Sequence, residues 1–228
     1  MAYQLISFDL DGTLVDTAVE IAEAANLALE AHGLERRPVA EITLLIGAGA
    51  HALFRGLLSQ ASASQPGLAH QPLADTVLTT FEASYAGLAG TGCAPYPGCV
   101  GALGRLRAAG LRLACVTNKE LRHARTVLGA AGLEPFFELV IGGDSLPQKK
   151  PHGSVLRHVA LALGVELAQV AHVGDSSTDV LAARQAGVAA WAVPYGYNAG
   201  VSVADSAPDR MFDNLAQVAD YVLAAHRR

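Results

Sequence analysis

Short apolar runs recur along the chain, each closed by a polar residue or a glycine: Leu5 to Phe8, Leu111 to Val116, Leu139 to Ile141, Val170 to Val173 and Ala189 to Val193. Their length and β-branched content predict strands. Helix-like stretches lie between them, over Gly98 to Ala109, Leu121 to Ala131, Ser154 to Leu163 and Val180 to Ala186. Strands alternating with helices predict an α/β fold whose parallel sheet is covered on both faces. Ligands of such sheets bind beyond the carboxyl ends of the strands. Here those ends carry Asp9, Thr117-Asn118, Gly142-Gly143-Asp144 and Gly174-Asp175.

The alternation stops between Asp16 and about Thr91, where no strand pattern is evident. Thr17-Ala18-Val19-Glu20 has capping-box spacing, and Ile21, Ala24, Ala25, Ala28 and Leu29 follow as an apolar helical stripe. Further helices are predicted over Ala50 to Ser59 and Leu73 to Leu88, joined by a polar loop from Ser59 to Pro72. The expected organisation is a core made of residues 1–15 and 92–228, with a helical insertion of residues 16–91 directly after the first strand.

Composition narrows the function classes. The 228 residues are 51% hydrophobic, enough for a large core and unlike a disordered chain. With 16 Lys and Arg against 21 Asp and Glu, the net charge is -5, so no broad basic surface is expected for a nucleic acid. The apolar runs are far shorter than the roughly 20 residues that span a bilayer. Three cysteines, Cys93, Cys99 and Cys115, without a C-x-x-C suit a reducing compartment. A cytoplasmic protein is expected, a monomer or homodimer, with neither nucleic-acid nor membrane partners.

Chemistry concentrates in Leu5-Ile6-Ser7-Phe8-Asp9-Leu10-Asp11-Gly12-Thr13-Leu14-Val15-Asp16, where two acids stand two positions apart at the end of an apolar strand. Residues i and i+2 of an extended segment face one side, so the pair calls for a cation or a shared proton. A calcium loop would need a glycine where Leu14 stands. The Asp11-Gly12 pair alone is also a turn signal, which leaves Asp9 unexplained. The eight histidines show no zinc-site spacing, and His152 is read as a surface-loop residue.

Asp9 to Asp16 resembles the first motif of the haloacid dehalogenase superfamily. Thr117-Asn118, Lys150-Pro151 and Gly174-Asp175-Ser176-Ser177-Thr178-Asp179 resemble its second, third and fourth motifs, in order and across nearly the whole chain. The resemblance implies a Rossmann-like core with a small α-helical cap, and a phosphatase dependent on magnesium (Mg2+). It implies that Asp9, Asp175 and the main-chain carbonyl of Asp11 ligate the metal. Asp9 would be the nucleophile that forms an aspartyl phosphate, and Asp11 the acid and base. A hard divalent cation suits oxygen donors and a phosphoryl group.

Thr117 and Asn118 are candidates for binding phosphoryl oxygens, although Thr117-x-x-Glu120 is also a capping-box spacing. Lys150 or Lys149 would supply a neutralising charge, and the adjacent proline favours Lys150. The family usually continues Lys-Pro-x-Pro; here Lys150-Pro151-His152-Gly153 predicts a less restrained loop. Asp179 is expected either to cap the following helix or to support a ligating carboxylate. Asp144 is read as a turn acid.

Specificity is expected in the insertion, which would close over the site as a lid. Gly47 and Gly49 precede a helix and form a candidate anion-binding turn, and Arg55 shares a helix face with His51. A plain interhelical turn with a solvated Arg55 is the competing reading. "LIGAGAHALFRGLL", "VTNKELRHARTVLGAAGL", "IGGDSLPQKKPHG" and "PYGYN" resemble the phosphoglycolate phosphatase branch. The resemblance implies a small anionic phosphate ester as substrate, 2-phosphoglycolate first. The alternatives are hydrolysis of a sugar phosphate or other metabolite, phosphoryl transfer by a mutase of the same fold, and a silent binding protein.

Overall fold

The computed structural model describes residues 3–64 and 70–226. The chain runs β1 (Leu5–Phe8), β2 (Val15–Asp16), α1 (Ala18–Ala31), α2 (Val39–Thr43), α3 (Ala50–Ser64), α4 (His70–Leu88) and β3 (Ala94–Pro95). It continues through α5 (Cys99–Ala108), β4 (Arg112–Val116), α6 (Leu121–Ala130), β5 (Leu139–Ile141), α7 (Ser154–Ala162) and β6 (Val170–Gly174). α8 (Ser177–Ala186), β7 (Ala189–Ala192), β8 (Arg210–Met211) and α9 (Leu215–His226) complete it. Among the described residues the strands form a six-stranded parallel sheet ordered β5-β4-β1-β6-β7-β8.

Successive strand residues face opposite sides, and both sides are buried, which is why these segments read as continuous apolar runs. Ile6, Phe8, Leu113, Cys115, Ala171 and Val173 join the core that includes α5 and α9. Leu5, Ala114, Val116, Val170, Ala190 and Ala192 face α7 and α8. The register pairs Phe8 with Cys115 and with Val173, so β1, β4 and β6 end side by side.

The insertion leaves and rejoins this sheet through the antiparallel pair β2 and β3. Its helices bury Ile21, Ala24, Ala25 and Ala28 of α1, Leu53, Phe54 and Leu57 of α3, and Val77, Phe81 and Tyr85 of α4. α1 packs on α4, and α4 on α3. The alanines of α1 let the backbones approach, while each large side chain buried there contributes about 1.5–3 kcal/mol.

Several expectations are corrected. The polar stretch from Ser59 is helical to Ser64 and helical again from His70, because alanines propagate a nucleated helix without an apolar stripe. Residues 65–69 of that expected loop lie outside the described residues. Thr17 makes no side-chain cap to α1: its hydroxyl donates to Asp11 Oδ1 (2.7 Å), and Glu20 turns to Tyr85. The strands β2, β3 and β8 and the helices α2 and α9 were not anticipated. α9 carries a readable stripe, Leu215, Val218, Ala219 and Val222, all buried against the core.

Candidate active site

Four strand ends place the polar residues together. β1 runs into Asp9, after which the chain turns sharply: Gly12 N–H donates to the Val15 carbonyl (2.9 Å) and Leu14 N–H to that of Leu10 (2.9 Å). Gly12 has φ +85°, and a Cβ there would collide with the Asp175 carboxylate. Only glycine lets this turn form against that acid. β6 runs into Asp175, whose Oδ1 accepts from Thr13 Oγ1 (2.7 Å) and whose Oδ2 accepts from Tyr197 N–H.

Lys150 Nζ sits between two acids, 2.8 Å from Asp9 Oδ1 and 2.6 Å from Asp179 Oδ1. Its contact with Asp9 is a buried ion pair, and Lys150 is the charged partner of that carboxylate. Asp179 Oδ2 accepts from Ser176 N–H (3.1 Å) and Oγ (2.6 Å), so the carboxylate both caps α8 and holds the lysine. His172 spans Asp179 Oδ1 (3.2 Å) and Ser7 Oγ (2.9 Å). Gly153 is sealed against the end of α8, where a Cβ would lie 2.5 Å from Ala186 N. The loop carrying Lys150 is therefore held by packing rather than loosened by that glycine.

Burial sets the protonation behaviour of this cluster. It pushes the Asp9 carboxyl up to about 7, with Lys150 opposing and Asp179 and Asp11 adding to the rise. It also holds Asp175 well above the usual carboxylate range, helped by repulsion from Asp9 and Asp179. For Asp179 burial is outweighed by Lys150 and His172, which hold it below that range. Lys150 is held above the ordinary lysine value because Asp179 and Asp9 outweigh its burial. Burial lowers His172.

Lys150 therefore serves two buried acids, Asp9 and Asp179, beside a third, Asp175. Oxygens of Asp9, Asp175 and Asp179 lie within 4.8 Å of one another. An all-oxygen donor set that crowded fits a hard divalent cation.

Above this floor lies a cavity of about 220 Å³ between the strand ends and the cap. Asp9, Asp11, Thr117 and Asn118 line it from the core; Ile46, Gly47, Gly49, His51, Phe81 and Tyr85 line it from the insertion. Asn118 Nδ2 donates to the carbonyls of Gly47 (3.1 Å) and Lys150 (3.0 Å), joining both sides of the cleft. Gly49 has φ +88°, and a Cβ there would lie 2.9 Å from Lys149 Nζ and 3.2 Å from the Asn118 carbonyl.

The structure thus brings together Asp9, Asp11, Thr117, Asn118, Lys150, Asp175, Asp179, Gly47 and Gly49. It does not bring Arg55: that side chain is exposed and absent from the cavity lining, because on α3 the faces bearing Leu53, Phe54 and Leu57 turn inward. Thr117 is not a capping-box residue either. Its Oγ1 accepts from Lys119 N–H (3.2 Å), Glu120 occupies the cap position of α6, and Asp144 Oδ1 takes the Leu121 N–H (2.8 Å).

Residues that the sequence did not single out also converge. Lys119 Nζ lies 3.0 Å from Asp11 Oδ1 and 4.6 Å from the centre of the Tyr85 ring. Tyr197 Oη accepts from Thr17 N–H (2.9 Å) and Ala18 N–H (3.0 Å) and donates to Asp16, tying the start of α1 to the Asp175 loop. The "PYGYN" segment offered a signal for Tyr197; nothing in spacing distinguished Lys119 from a solvated lysine.

A family model for haloacid dehalogenase-like hydrolases matches residues 3–187. A phosphoglycolate phosphatase of Psychrobacter arcticus is 36% identical over 227 residues, covering 99% of this chain and 98% of its own. One from Nitrosospira multiformis is 39% identical over 198 residues, covering 87% and 86%. The crystal structure of a predicted phosphoglycolate phosphatase from Haemophilus somnus superimposes with a TM-score of 0.91 at 32% identity, covering 96% of this chain and 97% of that one.

Proposed function

The chain belongs to the haloacid dehalogenase-like hydrolases, and from that membership we propose a magnesium-dependent phosphatase that converts 2-phosphoglycolate to glycolate and phosphate. The observation that carries the reading is the cavity floor. A buried carboxylate, Asp9, faces the cleft beside a second carboxylate, Asp11, with the Lys150 ammonium 2.8 Å from its Oδ1. A phosphate dianion repels nucleophiles, so such a site must neutralise charge and align attacking and leaving oxygens.

In this reading Asp9 attacks phosphorus and becomes an aspartyl phosphate as the P–O bond to the leaving group breaks. Asp11 gives its proton to the departing oxygen, then accepts one from the water that hydrolyses the acyl phosphate. Thr117 Oγ1, whose hydrogen is not committed to Lys119 N–H, donates to a phosphoryl oxygen. Lys150 neutralises Asp9 and the transferring group, and Asp179 and His172 fix its position. Asp9, Asp175 and the Asp11 carbonyl would hold the magnesium, which supplies charge neutralisation to the phosphoryl oxygens. Residues 16–91 act as the lid, with Gly47 and Gly49 on its inner wall, excluding bulk water when closed.

The name shared by the relatives supports 2-phosphoglycolate. The test is phosphate release from a panel of esters with magnesium, with Asp9→Asn as the blank. The highest kcat/KM is expected for 2-phosphoglycolate, with no turnover by the folded variant. Several sugar phosphates outrunning it would overturn the substrate, and near-normal activity of Asp9→Asn would overturn the nucleophile.

A further inference from the structure

Asp9, Thr117 and Lys150 meet the phosphoryl group and Asp11 meets the leaving oxygen, which leaves the rest of the leaving group without a partner. A substrate of this class carries a second anion there, and the cation first expected to meet it, Arg55, lies outside the cavity. Two lysine side chains do line the cavity, Lys119 and Lys149. Lys150 is committed below the floor to Asp9 and Asp179.

Lys119 differs from Lys149 in where its charge is held. Its side chain is only 7% exposed, and its ammonium lies 3.0 Å from Asp11 Oδ1, the carboxyl that serves the leaving oxygen. The ring of Tyr85 lies against the same ammonium at 4.6 Å. Tyr85 Oη donates in turn to Glu20 Oε1 (2.8 Å), so the aromatic face is fixed. The Lys119 ammonium is thus largely shielded from solvent, positioned by an aromatic face, and ion-paired with the acid.

Leaving-group geometry makes that position informative. In 2-phosphoglycolate one methylene separates the ester oxygen from the carboxylate carbon. A carboxyl that protonates the ester oxygen therefore lies within a few ångströms of the substrate carboxylate. A cation beside that carboxyl reaches both. Farther anionic groups are poorly served, because Glu82 and Glu120 also line the cavity.

We infer that Lys119 is the specificity-determining residue that binds the leaving group's carboxylate, selecting phosphate esters with a carboxylate one carbon from the ester-bearing oxygen. This rests on the phosphatase reading and deepens it. Binding of the carboxylate by Lys119 also orients the ester oxygen toward Asp11, and Tyr85 keeps the ammonium from swinging to solvent.

The test compares 2-phosphoglycolate with ethyl phosphate, which has the same carbon count and no carboxylate, for wild type, Lys119→Met and Lys119→Arg. Wild type should prefer 2-phosphoglycolate by about 100-fold in kcat/KM, the size of a charge-assisted hydrogen bond in a dry site. Lys119→Met should lose most of that preference, chiefly through KM, while Lys119→Arg keeps more of it. A common loss on both esters, with the preference intact, would overturn the inference and make Lys119 only a support for Asp11. Wild type that hydrolyses the two esters equally would overturn it without any variant. If wild type releases phosphate from neither ester, the phosphatase reading itself falls.

Discussion

Asp9 is the residue at which stability and proposed chemistry oppose each other. Its carboxyl is raised from 3.8 to about 7 because burial disfavours its charge more than Lys150 favours it. An acid raised in the fold binds its proton more tightly there than in the unfolded chain. Its contribution is therefore whole below about pH 4 and is lost as pH rises through about 7. At pH 8, without divalent ions, the ionised group carries the full cost, up to about 4 kcal/mol. Asp9→Asn removes that charge and leaves Lys150 paired with Asp179. In EDTA the variant should melt above wild type at pH 8, with the gap closing toward pH 4. Equal melting temperatures across that range would show that the Asp9 charge is not strained.

At the scale of elements, buried polar groups tie the two ends of the insertion to each other where they meet the core. Glu20, near the start of α1, accepts from Tyr85 Oη, from Gly90 N–H (3.0 Å) and from Gly92 N–H (3.3 Å). It thereby fixes both connections of the insertion, outgoing helix and returning chain. Glu20→Ala leaves those donors in a partly buried setting and should cost about 2–3 kcal/mol in urea unfolding. Glu20→Gln, which retains one acceptor, should cost less. Loss of the Tyr85 anchor should also raise KM for 2-phosphoglycolate in Glu20→Ala, since Tyr85 carries Lys119. The second tie is Tyr197, whose hydroxyl serves the first amides of α1 in place of the Thr17 side chain.

The whole molecule gathers several buried acids at one sheet edge, and a divalent ion should offset much of their cost. Dialysis against EDTA should abolish phosphate release and magnesium should restore it. Binding to the folded state alone adds about 2.7 kcal/mol at 100 times Kd. Because ligation favours ionised carboxylates, magnesium should raise the melting temperature more at pH 8 than at pH 6. A gain independent of pH would separate the metal from Asp9 and Asp175. Among the described residues no helix is long and apolar enough to cross a membrane. The α/β fold and five of the strands were legible because a parallel sheet buried on both faces imposes continuous apolar runs. Asp9, Asp11, Thr117 and Asp175 were legible too, because each stands where such a run ends. β8 and the start of α4 were not, since a two-residue strand and a polar helical turn carry no periodicity. Lys119, Tyr85, Glu20 and Tyr197 come from segments far apart in sequence, and their contacts exist only once β4 lies beside β1 and the insertion folds back. Local pattern thus determined the elements and the acids at their ends; which cation meets which acid was decided by tertiary packing, because Coulomb contacts depend on distance in space and not along the chain.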